Sequence, residues 1–415
     1  MAKFLFVVPP FTGHINPTLS IGKELRDRGH TVAWFGVGES LKRIMPAEAT
    51  LFLADEKSGL SSYEIEMVFQ SILKVQNSSG AESFKYLYED VLIPLSHLMR
   101  PSLIRVIDEF VPDVIINDQQ AFMGAICAFE KGICYATSVT APAAINDMSV
   151  LPKIAAWESQ QVIALQQSCG IEADSKVICS DDLTLVFSST DFIGHSNFPP
   201  HFRFVGPAIK HRDAATNFNW REVAQTHGPR VLITLGTFIK GIEQKFFSTV
   251  TKALAGEPIT VVAIADPDCM DEWPDNFIVK PYIPQLEMLK YIDAVICHGG
   301  HNTVCETLLY GLPLIVIPYA TDQFSVAGQV EQAGCGQRLR HSRLSPDLLR
   351  NSLKEILYNE SYKNAAARIQ SSFVKAGGTE AAAHYIERLV KKKVIDQNAD
   401  NIRIQSNSVS SSCHE

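Results

Sequence analysis

The sequence lacks the usual means of holding a metal or a disulfide framework. Its nine cysteines include no Cys-x-x-Cys pair; Cys127, Cys134, Cys169, Cys179, Cys297 and Cys305 are scattered, mostly inside apolar runs. They read as reduced core thiols of a cytoplasmic protein. A basic excess is missing too: 37 Lys and Arg stand against 45 Asp and Glu, a net charge of −8. With no positive surplus to neutralise phosphates, nucleic acid is argued against as the main partner. The first apolar run, Phe4–Val8, is only five residues long and stops at Pro9-Pro10. That is too short for a secretory signal or a membrane span. The expected location is the cytoplasm, with a peripheral membrane association left open. No repeat of solenoid period is visible, and oligomeric state is not legible.

What is present is room for two domains and an alternation that fills them: 415 residues, 46% hydrophobic. Continuous apolar runs such as Phe4–Val8 mark strands buried on both faces of a parallel sheet. Others follow at Thr31–Val37, Val114–Asp118, Gly132–Ser138, Leu183–Ser188 and Phe202–Val205. After a polar stretch come Val231–Leu235, Ile259–Ala265, Phe277–Lys280, Ala294–Cys297 and Leu314–Ile317. Helical patterns lie between them, at Tyr63–Lys74, Ala81–Met99 and Asn146–Gln167 among others. Asn16 is a good N-cap with Pro17 at the first helical position, so the first helix is expected to begin there.

The expected fold is α/β, with two doubly wound, Rossmann-like domains facing each other across a cleft. Residues 1–206 form the first, 207–229 an interdomain linker and 230–375 the second. A last helix over 376–395 packs back on the first domain, and 396–415, rich in Asn, Ser and Gln, is a disordered tail.

The most informative stretch is Cys297-His298-Gly299-Gly300-His301-Asn302-Thr303-Val304-Cys305-Glu306. An apolar run stops at two glycines and a helix pattern begins. That leaves unpaired N–H groups at a helix N-terminus, a seat for a phosphate. His298, Asn302 and Thr303 surround the seat, and Glu306 lies one turn on, placed to accept from sugar hydroxyls. Such a turn is common by itself. The next strand, however, ends at Asp322-Gln323, delivering polar groups to the same sheet edge, where open α/β sheets bind ligands. Thr234-Leu235-Gly236-Thr237 repeats the strand-to-glycine turn and offers Thr237 as another phosphate donor. Tyr282 could stack on a base or pack in the core, and Gln285 could reach a ribose. In the first half, His14 and Asp118 both sit at strand ends. An imidazole backed by a carboxylate suits removal of a proton from an attacking hydroxyl. From spacing alone, a structural histidine is the commoner outcome.

Together these residues resemble the GT-B fold UDP-glycosyltransferase family, in its bacterial branch that glycosylates macrolides and other natural products. The resemblance runs from Pro9-Pro10-Phe11-Thr12-Gly13-His14 to the C-terminal helices and is most specific from Tyr282 to Gln323. It implies His14 as general base with Asp118 as its partner. It implies diphosphate contacts from His298, Gly300, Asn302 and Thr303, and base and ribose contacts from Tyr282, Gln285 and Glu306. Asp322 and Gln323 would hold the sugar hydroxyls. Trp is usual where this chain has Tyr282. The family inverts the anomeric centre in one displacement and needs no metal or other cofactor; the nucleotide sugar, here UDP-glucose, is a substrate. The expected acceptor is a small apolar hydroxylated natural product. The alternatives are a dTDP-deoxysugar donor, an epimerase or lipid-linked-sugar transferase on the same fold, or a non-catalytic auxiliary protein bound to a partner transferase.

Overall fold

The computed structural model describes residues 1–54, 67, 70–71, 84–142, 152–173, 175–194, 198–210, 218–226, 228–236, 243–320 and 322–391. The expected 396–415 tail, Thr237 and most of the expected helix Tyr63–Lys74 lie outside them.

Two parallel sheets organise the chain. The first comprises β1 (Lys3–Val7), β2 (Thr31–Gly36), β3 (Thr50–Leu53), β4 (Val114–Asp118), β5 (Cys134–Val139), β6 (Thr184–Val186) and β7 (Phe202–Phe204), in the order β3-β2-β1-β4-β5-β6-β7. The second comprises β8 (Arg230–Thr234), β9 (Thr260–Ile264), β10 (Phe277–Lys280), β11 (Ala294–Cys297), β12 (Leu314–Val316) and β13 (Gly336–Arg338), in the order β10-β9-β8-β11-β12-β13. Phe4, Leu5, Phe6 and Val7 are all fully buried, as a central strand covered on both faces requires. In each sheet the chain winds outward, then returns to lay a strand on the other flank of the first one. Those reversals fall between β1 and β4 and between β8 and β11. They are the topological switch points, and ligands bind outside the carboxyl ends of strands there.

The helices that matter below are α1 (Thr12–Asp27), α2 (Ile93–Phe110), α3 (Phe122–Glu130), α4 (Pro152–Ser168), α5 (Glu243–Leu254), α6 (His301–Leu309) and α7 (Gln323–Gln332). A final helix over 378–391 buries Ala382, Ala383, Ile386 and Leu389 in the same apolar cluster as Phe4, Phe6 and Trp34. Burial of the Ile386 side chain alone is worth about 1.5–3 kcal/mol. Charged contacts line the seam: Arg28 to Glu387 at 2.9 Å, and Lys210 to both Glu24 and Glu380. Among the described residues, no helix is long and apolar enough to cross a membrane.

Several boundaries differ from the sequence expectation. The first helix starts at Thr12, ahead of Asn16, because the Phe11 carbonyl accepts from His14 N at 2.9 Å and Ile15 N at 3.1 Å. Pro17 therefore sits inside the helix instead of opening it. The pattern at Ala81–Met99 becomes a π-helical turn at Leu87–Leu92, followed by α2, which runs through Pro101 to Phe110. The fourth helix opens at Pro152, so the 143–151 part of the expected Asn146–Gln167 helix lies outside the described residues. A short helix, Trp220–Ala224, interrupts the expected linker. Two strands went unread, β3 and β13. Both are sheet edges: β3 is only four residues, Thr-Leu-Phe-Leu, and β13 is three, Gly-Gln-Arg, with no apolar run at all.

Candidate active site

The β1/β4 switch point gathers three side chains. His14 lies in the first turn of α1 and Asp118 ends β4, fully buried. Their side chains meet at 2.8 Å between Nδ1 and Oδ1. Thr140, one residue past β5, completes the group: its Oγ1 is 2.7 Å from His14 Nδ1 and donates to Asp118 Oδ2 at 3.1 Å. The Gln120 backbone N–H adds a bond to Asp118 Oδ1 at 2.8 Å. These partners offset the cost of burying a carboxylate. An ionised Asp118 only accepts, and Thr140 gives it the hydroxyl proton. The proton on the His14 side must then be Nδ1–H, which leaves the Nε2 lone pair free to act as a base.

Thr140 went unread in the sequence. Its only signal is its place just after a strand beside β4, the same edge that singled out His14 and Asp118. Thr140→Val keeps the shape and removes the hydroxyl, stripping Asp118 Oδ2 of its donor and the imidazole of a neighbour. The expected loss is about 1.5–3 kcal/mol, roughly a tenfold to hundredfold fall in turnover. It would be measured as kcat for transfer in wild type and variant, and an unchanged kcat would remove Thr140 from the group.

The β8/β11 switch point holds the anion seat. Gly300 is the N-cap of α6, extended at φ −60° and ψ 128°, with no side-chain cap hydrogen bond. The N–H groups of His301, Asn302 and Thr303 thus open the helix without intrahelical acceptors. Behind them lies His298, its ring held between two glycines. A Cβ on Gly236, which has φ +70°, would come within 2.5 Å of the imidazole, and one on Gly300 within 2.7 Å. Burial pushes the His298 pKa down to about 4, partly opposed by a backbone hydrogen bond with Thr234. His298 is therefore a neutral ring near pH 7, and its buried Nδ1 has no hydrogen-bond partner among the described residues. A buried polar atom left open at a ligand edge is a place for a ligand group.

The remaining sequence candidates fall around this seat. Gln285 Nε2 donates to Glu306 Oε2 at 2.7 Å, so these two residues are brought together and the carboxylate is aimed. Tyr282 is 63% exposed, which rules out core packing and leaves its ring on the surface at the end of β10. Asp322 is the N-cap of α7. Gln323 is buried, and its Oε1 accepts from Tyr319 N at 2.9 Å and Ala320 N at 3.1 Å. Only the Nε2 donor of Gln323 therefore remains for a ligand. Asn302 departs from a purely donor-facing role: its Nδ2 donates to the Gly13 carbonyl at 2.7 Å.

That bond spans the two domains and sets the seat against the helix that carries His14. A second contact joins them nearby, His301 Nε2 to the Phe187 carbonyl at 3.2 Å. Each switch point thus faces the other, one with the His14–Asp118–Thr140 group and one with the N-terminus of α6.

Among solved structures this is the architecture of the GT-B glycosyltransferases. The glycotransferase of kitacinnamycin superposes with a TM-score of 0.73 at 23% identity, over 94% of this chain and 99% of that one. VinC, solved in complex with dTDP, gives 0.71 at 19% identity, over 94% and 100%. Residues 173–377 match the model of the UDP-glucoronosyl and UDP-glucosyl transferase family. The uncharacterized UDP-glucosyltransferase YojK of Bacillus subtilis (strain 168) is 29% identical over 416 residues, 96% of this chain and 100% of that protein. Residues 173–377 thus carry the pattern of the UDP-glycosyltransferase family, and the protein is a glycosyltransferase, as its motifs implied.

Proposed function

We propose that this glycosyltransferase moves glucose from UDP-glucose to a hydroxyl of a small apolar natural product, with inversion and without a metal. The observation that carries the reading is the Asn302–Gly13 hydrogen bond, which puts the base-bearing first turn of α1 beside the anion seat of α6. The acceptor O–H gives its proton to His14 Nε2 while its oxygen attacks the anomeric carbon. The bond from that carbon to the diphosphate oxygen breaks, and the electron pair leaves with UDP. Asp118, held by Thr140, stabilises the imidazolium that forms. Charge developing on the diphosphate is met by the N–H groups opening α6, with Thr303 and Thr237 as hydroxyl donors. Glu306, aimed by Gln285, accepts from the ribose hydroxyls, and Tyr282 lies under the base. Asp322 accepts from sugar hydroxyls and Gln323 donates to them, which suits a fully hydroxylated hexose.

The family match and YojK's name support a UDP-sugar, and the kitacinnamycin enzyme supports a natural-product acceptor. A dTDP-deoxysugar is the second reading, favoured by VinC's complex with dTDP. The test is thermal stabilisation by a panel of UDP- and dTDP-sugars, followed by product NMR with phenolic and polyketide acceptors. Stabilisation by UDP-glucose and a β-linked product are expected. A selective response to dTDP-sugars would move the donor to the second reading. An α-linked product would overturn the single displacement, and no response to any nucleotide would overturn the donor site.

A further inference from the structure

Pro17 lies six residues into α1 and has no N–H. In an uninterrupted helix the residue at 17 would donate to the carbonyl four positions back, that of Gly13. That carbonyl is left without its intrahelical donor one residue from His14. The Asn302 amide, from the second position of α6 in the other domain, takes its place at 2.7 Å. A peptide carbonyl shielded from water seeks a donor, and this partly buried one finds it across the domain boundary. The same turn of α6 makes the His301 contact to the Phe187 carbonyl, at the end of the neighbouring strand region of the first domain. Viewed from His14, the ring is anchored to Asp118 and Thr140, and the preceding peptide is anchored to Asn302.

We infer that Asn302 is a positioning residue: its side chain is a clasp between the donor-binding helix and the helix that carries the base. It sets the location of His14 relative to the anomeric carbon. The inference rests on the transferase reading above and deepens it: the Gly13 carbonyl takes one of the two N–H donors of the Asn302 amide. The missing N–H of Pro17 makes the clasp specific, since it leaves the open acceptor beside the base. A proton transfer depends steeply on distance, so loosening the first turn of α1 acts on the chemical step more than on binding.

The test is Asn302→Ala in the full chain, with three readouts. Titration calorimetry with UDP is expected to give a Kd within about threefold of wild type, since the backbone N–H groups of α6 are retained. At saturating UDP-glucose and a phenolic acceptor, kcat is expected to fall about tenfold to a hundredfold. Hydrogen–deuterium exchange of apo protein should speed up in the peptide from Phe11 to Ile21 while α5 is unchanged. A UDP Kd weakened by more than about tenfold with kcat unchanged would make Asn302 a diphosphate ligand and overturn the clasp. Unaltered exchange over Phe11–Ile21 would overturn it as well. Should wild type transfer from no nucleotide sugar, the transferase reading fails on its own, and the exchange comparison still decides whether Asn302 clasps α1.

Discussion

His14→Ala is expected to lower transfer about a hundredfold to ten-thousandfold while leaving UDP affinity unchanged. The reason is the separation of tasks between the two switch points. Among the described residues, the His14 ring hydrogen-bonds to Asp118 and Thr140, both in the first domain. In the proposed mechanism, losing the imidazole removes the acceptor for the attacking hydroxyl's proton, a group needed only as the bond forms. Losses confined to the transition state lower kcat and kcat/KM together and spare ground-state binding. The measurement is single-turnover transfer beside calorimetric UDP titration of the same variant. Asp118→Asn should behave similarly, because an amide that donates toward Nδ1 would favour the wrong tautomer. If His14→Ala kept wild-type turnover with a hydroxyl acceptor, the assignment of the base would be wrong.

Stability is expected to fall steeply between pH 6.5 and pH 4, and the second domain is the reason. Burial holds both His298 and His301 at about 4, down from the ordinary 6.5. Below 6.5 the unfolded chain takes up protons at these positions that the folded chain refuses until about pH 4. Stability is thus fully present above 6.5 and is lost as the pH falls through that window, by about 2 kcal/mol per histidine at pH 5. Two such groups remove a large share of a typical domain's margin. Urea unfolding at pH 7.5 and pH 5 measures the loss, and His301→Gln should remove about half of the histidine part. His301 lies against the Phe187 carbonyl and Cys305 Sγ, so the variant also tests whether the ring is neutral there. A curve flat between the two pH values would show that neither ring is held neutral.

Much of this could be read before any coordinates. Apolar runs announced β1, β4 and β11 to within a residue, because a strand covered on both faces has few polar positions to blur it. His14, Asp118, His298, Gly300, Gln285 and Glu306 were legible because each follows or ends such a run, or sits one turn into the next helix. Two kinds of feature escaped. Edge strands β3 and β13 are only four and three residues long, and β13, Gly-Gln-Arg, reads as a loop. Thr140 and the Asn302–Gly13 bond depend on partners 22 or more residues away, at 3.1 Å and 2.7 Å. No local pattern encodes such a pairing. The start of α1 was misplaced because a proline is as acceptable at a helix opening as it is costly inside. Only the cross-domain amide shows what offsets the hydrogen bond that Pro17 forgoes.

The amino-acid sequence alone determined the class of fold and the two strand-end clusters, since periodicity and glycine placement are local properties of the chain. Tertiary structure decided how those clusters meet. It set the protonation of His298 by burying it, the tautomer of His14 by ringing it with Asp118 and Thr140, and the use of Asn302 by laying α6 against the carbonyl that Pro17 leaves open. Each of these is a matter of distance and solvent exclusion between segments far apart in the chain, quantities that exist only once the two sheets have packed.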